Sequence, residues 1–238
     1  MSELVRFHAE PDCSVIAMDD GRLNLMSPAM LRALHQAFDR VEREKRVVVL
    51  KGRKNIFSAG FDLKVIRAGD PYAVYDMMRL GAELALRVLE FPLPVIGVAS
   101  GHAYPMGAFL LLASDIRIGA TGPYRFGLNE VAIGLAVPSF GVELARQRLT
   151  PAYFQRATLT GEMFGPEDAV AAGFLDRIFE PSALDGAAQQ IVDSLSKIDL
   201  ASHAVTKRRA RGHTIAAVRE AIEAEISFAA YQRRTTAA

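Results

Sequence analysis

The chain has 238 residues, half of them hydrophobic, with 28 basic and 27 acidic side chains and a net charge of +1. That length supports one well-buried core, alone or with a helical appendage, and removes about 70–75% of the unfolded chain's surface from water. The charge balance excludes a whole-chain electrostatic footprint for nucleic acid or an anionic membrane. The single cysteine, Cys13, excludes an internal disulfide and fits a reducing compartment.

The opening MSELVRFHAEPDCSVIAMDD carries charges within its first dozen residues and no apolar signal core, so neither a secretory signal nor a transit peptide is read there. The longest apolar run, Ala103 to Ala113, is too short to cross a bilayer. The expectation is a cytoplasmic protein with no membrane attachment. Ser27-Pro28 then opens a helix, a Ser cap with Pro at the first helical position, ahead of Leu31, Leu34, Phe38 and Val41 on one face. Arg46 to Gly52 (RVVVLKG) and Pro94 to Gly101 (PVIGVASG) are continuous β-branched runs, as in parallel strands covered on both faces. Ser114 to Ala120 and Gly173 to Glu180 read as two more strands.

Thr150-Pro151 repeats the helix entry. Gly165 to Phe174 is a complete short helix, with Pro near its start, an acidic first turn and Gly173 as its stop. Alternation of strand and helix predicts an α/β fold with right-handed crossovers. From Pro181 onward the pattern is helical, and its last helix puts Val218, Ile222, Ile226 and Ala229 on one face. Residues 1–180 are therefore expected to form the core. Residues 181–238 are expected to form a helical subdomain, packed on that core or on a neighbouring subunit.

Three stretches carry candidate chemistry. In Lys54 to Lys64 (KNIFSAGFDLK), Ser58, Ala59 and Gly60 let the backbone turn sharply and approach a ligand, or simply form a strand-to-helix loop. In Ser100 to Gly119 (SGHAYPMGAFLLLASDIRIG), a proline stands at the mouth of a greasy helix. The first amides of a helix have no internal partner and lie at its positive end, so they can hold a developing negative oxygen. Pro105 has no N–H, whereas Met106 and Gly107 do; the alternative is a buried helix with a proline-shaped entry. In Tyr124 to Gly141 (YRFGLNEVAIGLAVPSFG), Glu130 sits among Phe126, Leu128, Val131, Ile133 and Leu135. Desolvation there raises a carboxyl pKa toward the range of proton transfer, unless Arg125 or Arg146 pairs with it.

In this order the stretches resemble the crotonase (enoyl-CoA hydratase/isomerase) superfamily. FSAGFDLK is similar to its first oxyanion loop, PVIGVASGHAYPMGAFLLLASDIRIG to its second, and YRFGLNEVAIGLAVPSFG to its Phe-Gly-x-x-Glu-x-x-x-Gly segment. Leu159 to Pro181 resembles its Leu-Thr-Gly stretch, and DDGRLNLMSPAMLRAL the N-terminal segment ending in the family's Asn, here Asn24. The resemblance implies a spiral of ββα units with a C-terminal helical subdomain, assembled as a homotrimer or a dimer of trimers. It implies an acyl-CoA thioester as substrate, with coenzyme A entering only as part of it and no metal or other cofactor. Two backbone amides, those of Phe61 and Met106, would hold the enolate oxygen, each worth about 2.7–4 kcal/mol of transition-state stabilisation. Glu130 would be the acid/base. Asn24, Leu25, Gly60, Asp62, Leu63, Lys64, Gly107, Phe109 and Lys207 would contact the acyl group or the CoA, with Lys207 to Arg209 as candidates for its phosphates. The acyl pocket would draw on loops such as Ile66 to Met78.

Family hydratases use two glutamates, and the position matching the first is Phe109. One carboxylate beside an oxyanion hole suffices to move a proton from C2 to C4 of an enolate, which points to a Δ3-Δ2-enoyl-CoA isomerase. A hydratase, another lyase or hydrolase of this type, and a non-catalytic acyl-CoA binder are the alternatives. Clp-type serine peptidases share the core, but Pro105 stands where their nucleophilic serine would be. His102, Tyr104 and Asp115 are read as structural. No His, Cys or carboxylate cluster has metal-ligand spacing.

Overall fold

The computed structural model describes residues 4–226 and 228. An antiparallel pair, β1 (Val5–Ala9) and β2 (Cys13–Met18), starts the chain. Helix α1 (Pro28–Glu44) follows, with Ser27 Oγ accepting the Met30 amide at 3.2 Å, and it buries Leu31, Leu34, Phe38 and Val41 as the apolar spacing predicts. Strand β3 (Val47–Lys51) lies parallel to β2. After it the chain crosses to β4 (Asn55–Ser58), then to α2 (Leu63–Arg67) and α3 (Pro71–Glu90). The same three-part unit recurs as β5 (Val95–Ala99), β6 (Gly101–Ala103) and α4 (Pro105–Ala113). It begins again with β7 (Ile116–Ala120) and β8 (Phe126–Gly127), which lead through a short 3-10 turn at Val131–Ile133 into α5 (Ser139–Arg148). Then come α6 (Pro151–Thr160), β9 (Met163–Phe164), α7 (Pro166–Ala172) and β10 (Arg177–Phe179), and finally α8 (Leu184–Leu195) and α9 (Leu200–Glu225).

The first strand of each unit joins one sheet, ordered β1-β2-β3-β5-β7-β10 and parallel except for β1. The second strand joins a smaller sheet, ordered β4-β6-β8-β9. The result is the spiral of ββα units that the resemblance implies. Val47 to Leu50 and Val95 to Ala99 are buried throughout, as strands covered on both faces must be. The step between sheets brings backbones very close: a Cβ on Gly101 would lie 1.8 Å from the Asn55 carbonyl carbon, so only glycine fits there.

One expectation changes. The stretch from Ile66 to Met78 is not a loop but the end of α2 and the start of α3. Each helix is entered through an Asp cap, with Asp62 accepting the Lys64 amide and Asp70 the Tyr72 amide, both at 2.9 Å. Helix α9 packs on α3 and α5 of its own chain, with Val218, Ile222 and Ile226 buried; Ala229 lies outside the described residues. Among the described residues no helix is long and apolar enough to cross a membrane.

Candidate active site

After β4 the chain turns through Ser58, Ala59 and Gly60. Ser58 Oγ donates to the Asn24 carbonyl at 2.7 Å and accepts the Gly60 amide at 3.1 Å. The Gly60 carbonyl accepts the Met26 amide at 2.9 Å, and the Ala59 amide reaches the Leu23 carbonyl at 3.0 Å. Gly60 takes a left-handed φ of +88°, open to glycine at little cost. These bonds fix the loop and leave the Phe61 N–H without an acceptor among the described residues.

The mouth of α4 is fastened to the same loop. The Tyr104 amide donates to the Ser58 carbonyl at 2.9 Å. A Cβ on Gly107 would come within 2.9 Å of Ser58 Cβ and its carbonyl oxygen, so this glycine permits the contact. Pro105 takes the first helical position, where a missing N–H costs nothing. The Met106 and Gly107 amides at the positive end of the helix have no acceptor among the described residues. A Cβ built on Gly60 would lie 3.6 Å from Met106 N, which puts the unpaired amides of Phe61 and Met106 on adjoining backbone.

Glu130 follows β8 at the start of the 3-10 turn. It is 7% exposed, and its Oε2 is buried without a hydrogen-bond partner. Burial pushes its carboxyl pKa up to about 7. The two arginines that could have neutralised it are engaged elsewhere. Arg125 donates to the Tyr124 carbonyl, while Arg146 pairs with Glu143 and lies over the Phe154 ring. A cavity of about 130 Å³ joins Glu130 to Gly60, Phe61 and Pro105, with Leu63, Ile66, Met78, Ile133 and Leu135 forming its apolar wall. Among the described residues that line it, Glu130 is the one ionisable side chain. An acyl group held there would meet the Phe61 backbone and the desolvated Glu130 carboxyl.

Three of the expected contact residues lie elsewhere. Asn24 is fully buried, and its side chain is consumed internally: it donates to the Met18 and Phe57 carbonyls, both at 3.1 Å, and accepts the Asp20 amide at 3.0 Å. It shapes the loop from behind. Phe109 is fully buried against Phe140, ring centroids 5.2 Å apart, over Gly141, whose Cβ would lie 2.4 Å from the Phe109 ring. Lys207 is buried and donates to Asp115 Oδ2 at 2.7 Å, so its ammonium is not free for a CoA phosphate. Burial lowers its pKa to about 8, against the attraction of Asp115.

Of the others, Leu63 lines the cavity, Gly107 lies in the first turn of α4, and Lys64 is exposed on α2. Leu25 donates its amide to Asp20 Oδ2 at 3.0 Å. His102 Nδ1 accepts the Arg125 amide at 3.0 Å, a structural bond; burial, and then Arg125, lower its pKa. Asp20 was missed. It accepts the amides of Arg22, Asn24 and Leu25 at 2.7, 2.8 and 3.0 Å, which hold its carboxyl below the usual range against the effect of burial. Its signal was the turn-forming Asp-Gly at positions 20 and 21.

The enoyl-CoA hydratase/isomerase family model matches residues 10–236. A crystal structure of an enoyl-CoA hydratase/isomerase family protein from Pseudomonas syringae is 39% identical, covers 94% of this chain and 97% of its own, and superposes with a TM-score of 0.92. An enoyl-CoA hydratase from Mycobacterium ulcerans is 38% identical, with coverages of 93% and 97% and a TM-score of 0.90. A Mycobacterium tuberculosis protein, described as an enoyl-CoA isomerase in one structure and as a probable enoyl-CoA hydratase in another, is 38% identical in the first, with coverages of 94% and 98% and a TM-score of 0.89.

Proposed function

The chain belongs to the enoyl-CoA hydratase/isomerase family, and we propose that within it this protein is a Δ3-Δ2-enoyl-CoA isomerase. The Glu130 carboxylate takes a proton from C2 of a 3-enoyl-CoA. The thioester oxygen gains negative charge and is held by the Phe61 and Met106 amides. The double bond moves to C2–C3 as Glu130, now protonated, returns its proton to C4. No atom is gained or lost, and water takes no part in the balance. A carboxyl pKa of about 7 suits a group that must take and return a proton near neutrality.

One observation carries this reading: among the described residues, Glu130 is the sole ionisable side chain on the cavity wall. Hydration asks for a water activated on one carboxylate while a second manages the proton. Here the candidate second position is Phe109, packed away on Phe140. Solved relatives named hydratase and isomerase are equally similar to this chain, so their names do not divide the two reactions. The carboxylate count does favour one of them.

The test is to assay the purified protein on 3-enoyl-CoA and 2-enoyl-CoA in parallel with Glu130→Gln. Conversion of the 3-enoyl substrate is expected, lost in the variant while CoA affinity is kept. Robust hydration of the 2-enoyl substrate overturns the isomerase reading. A non-catalytic binder would show no turnover for the variant to lose.

A further inference from the structure

Glycine is a poor choice for a helix interior, because it is entropically costly and buries no side chain. Gly81 nevertheless sits midway along the 20-residue α3, buried, and outside the set of residues with positive φ. No turn requires it. What requires it is the space opposite. A Cβ built there would lie 2.5 and 2.6 Å from Cε1 and Cζ of the Phe61 ring, and 3.3 Å from Met106 Sδ. The side chains of Phe61 and Met106, whose amides lie on adjoining backbone, thus rest on the same point of α3. The other glycines of the long C-terminal helices differ: among the described residues, nothing lies within 4 Å of a Cβ on Gly186 or Gly212.

Phe61 is consequently fixed twice. Its backbone is held where the Gly60 carbonyl accepts the Met26 amide at 2.9 Å, and its ring stops against α3 at Gly81. Met106 reaches the same spot from the first turn of α4. Resting on the reading above that these amides hold the thioester oxygen, we infer that Gly81 is a positioning residue, setting through the Phe61 ring where the two donors stand. A methyl group at position 81 moves the ring, and the ring moves the loop. Displacement of a catalytic group by about 1 Å is enough to cost about 10²-fold in rate.

The test compares wild type, Gly81→Ala, Phe61→Leu, the double variant and Gly212→Ala, measuring kcat on whichever enoyl-CoA the wild type turns over, the Kd of CoA, and thermal stability. Expected for Gly81→Ala is a fall in kcat of about 10²-fold, with the Kd of CoA changed by less than about twofold. Shortening the ring should remove the clash, so the double variant should match Phe61→Leu alone. Gly212→Ala should keep wild-type kcat. A Gly81→Ala enzyme with wild-type kcat overturns the inference, and so does a double variant at least tenfold slower than Phe61→Leu. If Gly81→Ala does not fold, the second comparison decides alone. Failure of the isomerase reading is a separate result, seen in the wild type as hydration of 2-enoyl-CoA without conversion of 3-enoyl-CoA. The Gly81 comparison is then made on hydration, which needs the same two amides.

Discussion

Helix α4 runs from an end where polar groups lack partners to an end where every one is taken. At its start, the Met106 and Gly107 amides and the buried Glu130 Oε2 have no hydrogen bond among the described residues. At its far end, the Leu110 carbonyl accepts both the amide and Oγ of Ser114. The Leu112 carbonyl accepts Arg148 at 3.2 Å and the Ala113 carbonyl accepts Arg211 at 2.9 Å. Asp115 is gripped by Lys207, by Arg211 at 2.9 Å and by the Val95 amide at 2.7 Å. Buried cations complement the negative end of the helix dipole, while the amides at the positive end stay unpaired among the described residues. One helix thus separates two roles: anchorage is concentrated at one terminus and unspent hydrogen-bonding capacity at the other.

Substitutions can break this contrast, and the largest effect belongs to the open end. Glu130→Gln should lower turnover by about 10²–10⁴-fold, the span usual for a general acid/base, in steady-state assays on 3-enoyl-CoA. At the closed end, Asp115→Asn strands two buried cations and should cost about 3–5 kcal/mol in urea unfolding. Turnover per folded molecule should change far less than in Glu130→Gln. Equal losses of turnover in the two variants would erase the distinction between the ends.

A smaller effect sharpens the contrast through pH. The folded pKa of Glu130, about 7, lies above the ordinary 4.5, so its neutral form is the stable one in the fold. The stability it contributes is whole below pH 4.5, falls as pH rises toward 7, and is gone above it. Glu130→Gln, neutral at every pH, should be more stable than wild type by about 3 kcal/mol at pH 8, with no advantage at pH 4. Urea midpoints at the two pH values measure this, and a pH-independent difference would count against a desolvated carboxylate. The smallest effect is expected at Gly212, in α9 with open space around its Cβ. There Gly212→Ala should add up to about 1 kcal/mol in thermal unfolding.

Local signals were the legible ones. Ser27-Pro28 and the apolar stripe after it give α1 because cap and periodicity lie within one stretch of chain. The two small-residue loops and Glu130 stand out for the same reason, each carrying its chemistry in a few consecutive residues. Asp62 and Asp70-Pro71 are start signals of the same kind, so α2 and the head of α3 could have been read, although Ile66 to Met78 was expected as a loop. What stayed hidden depends on distant pairing. Lys207 looks like a free surface cation until Asp115, 92 residues away, is brought to it. Phe109 follows the Met106 and Gly107 amides closely in sequence, yet helical rotation turns it toward Phe140. Gly81 reads as a weak point in a helix, and only the Phe61 ring opposite explains it.

The most direct measurement is the pH dependence of kcat/KM for 3-enoyl-CoA between about pH 5 and pH 9, which reports the free enzyme's essential groups. Taking a proton from C2 needs the carboxylate form of Glu130. The rate should therefore climb with pH, bend near pH 7 and level off above it. A profile already flat above pH 5, or the same bend surviving in Glu130→Gln, would contradict the assignment of a desolvated Glu130 as the proton carrier.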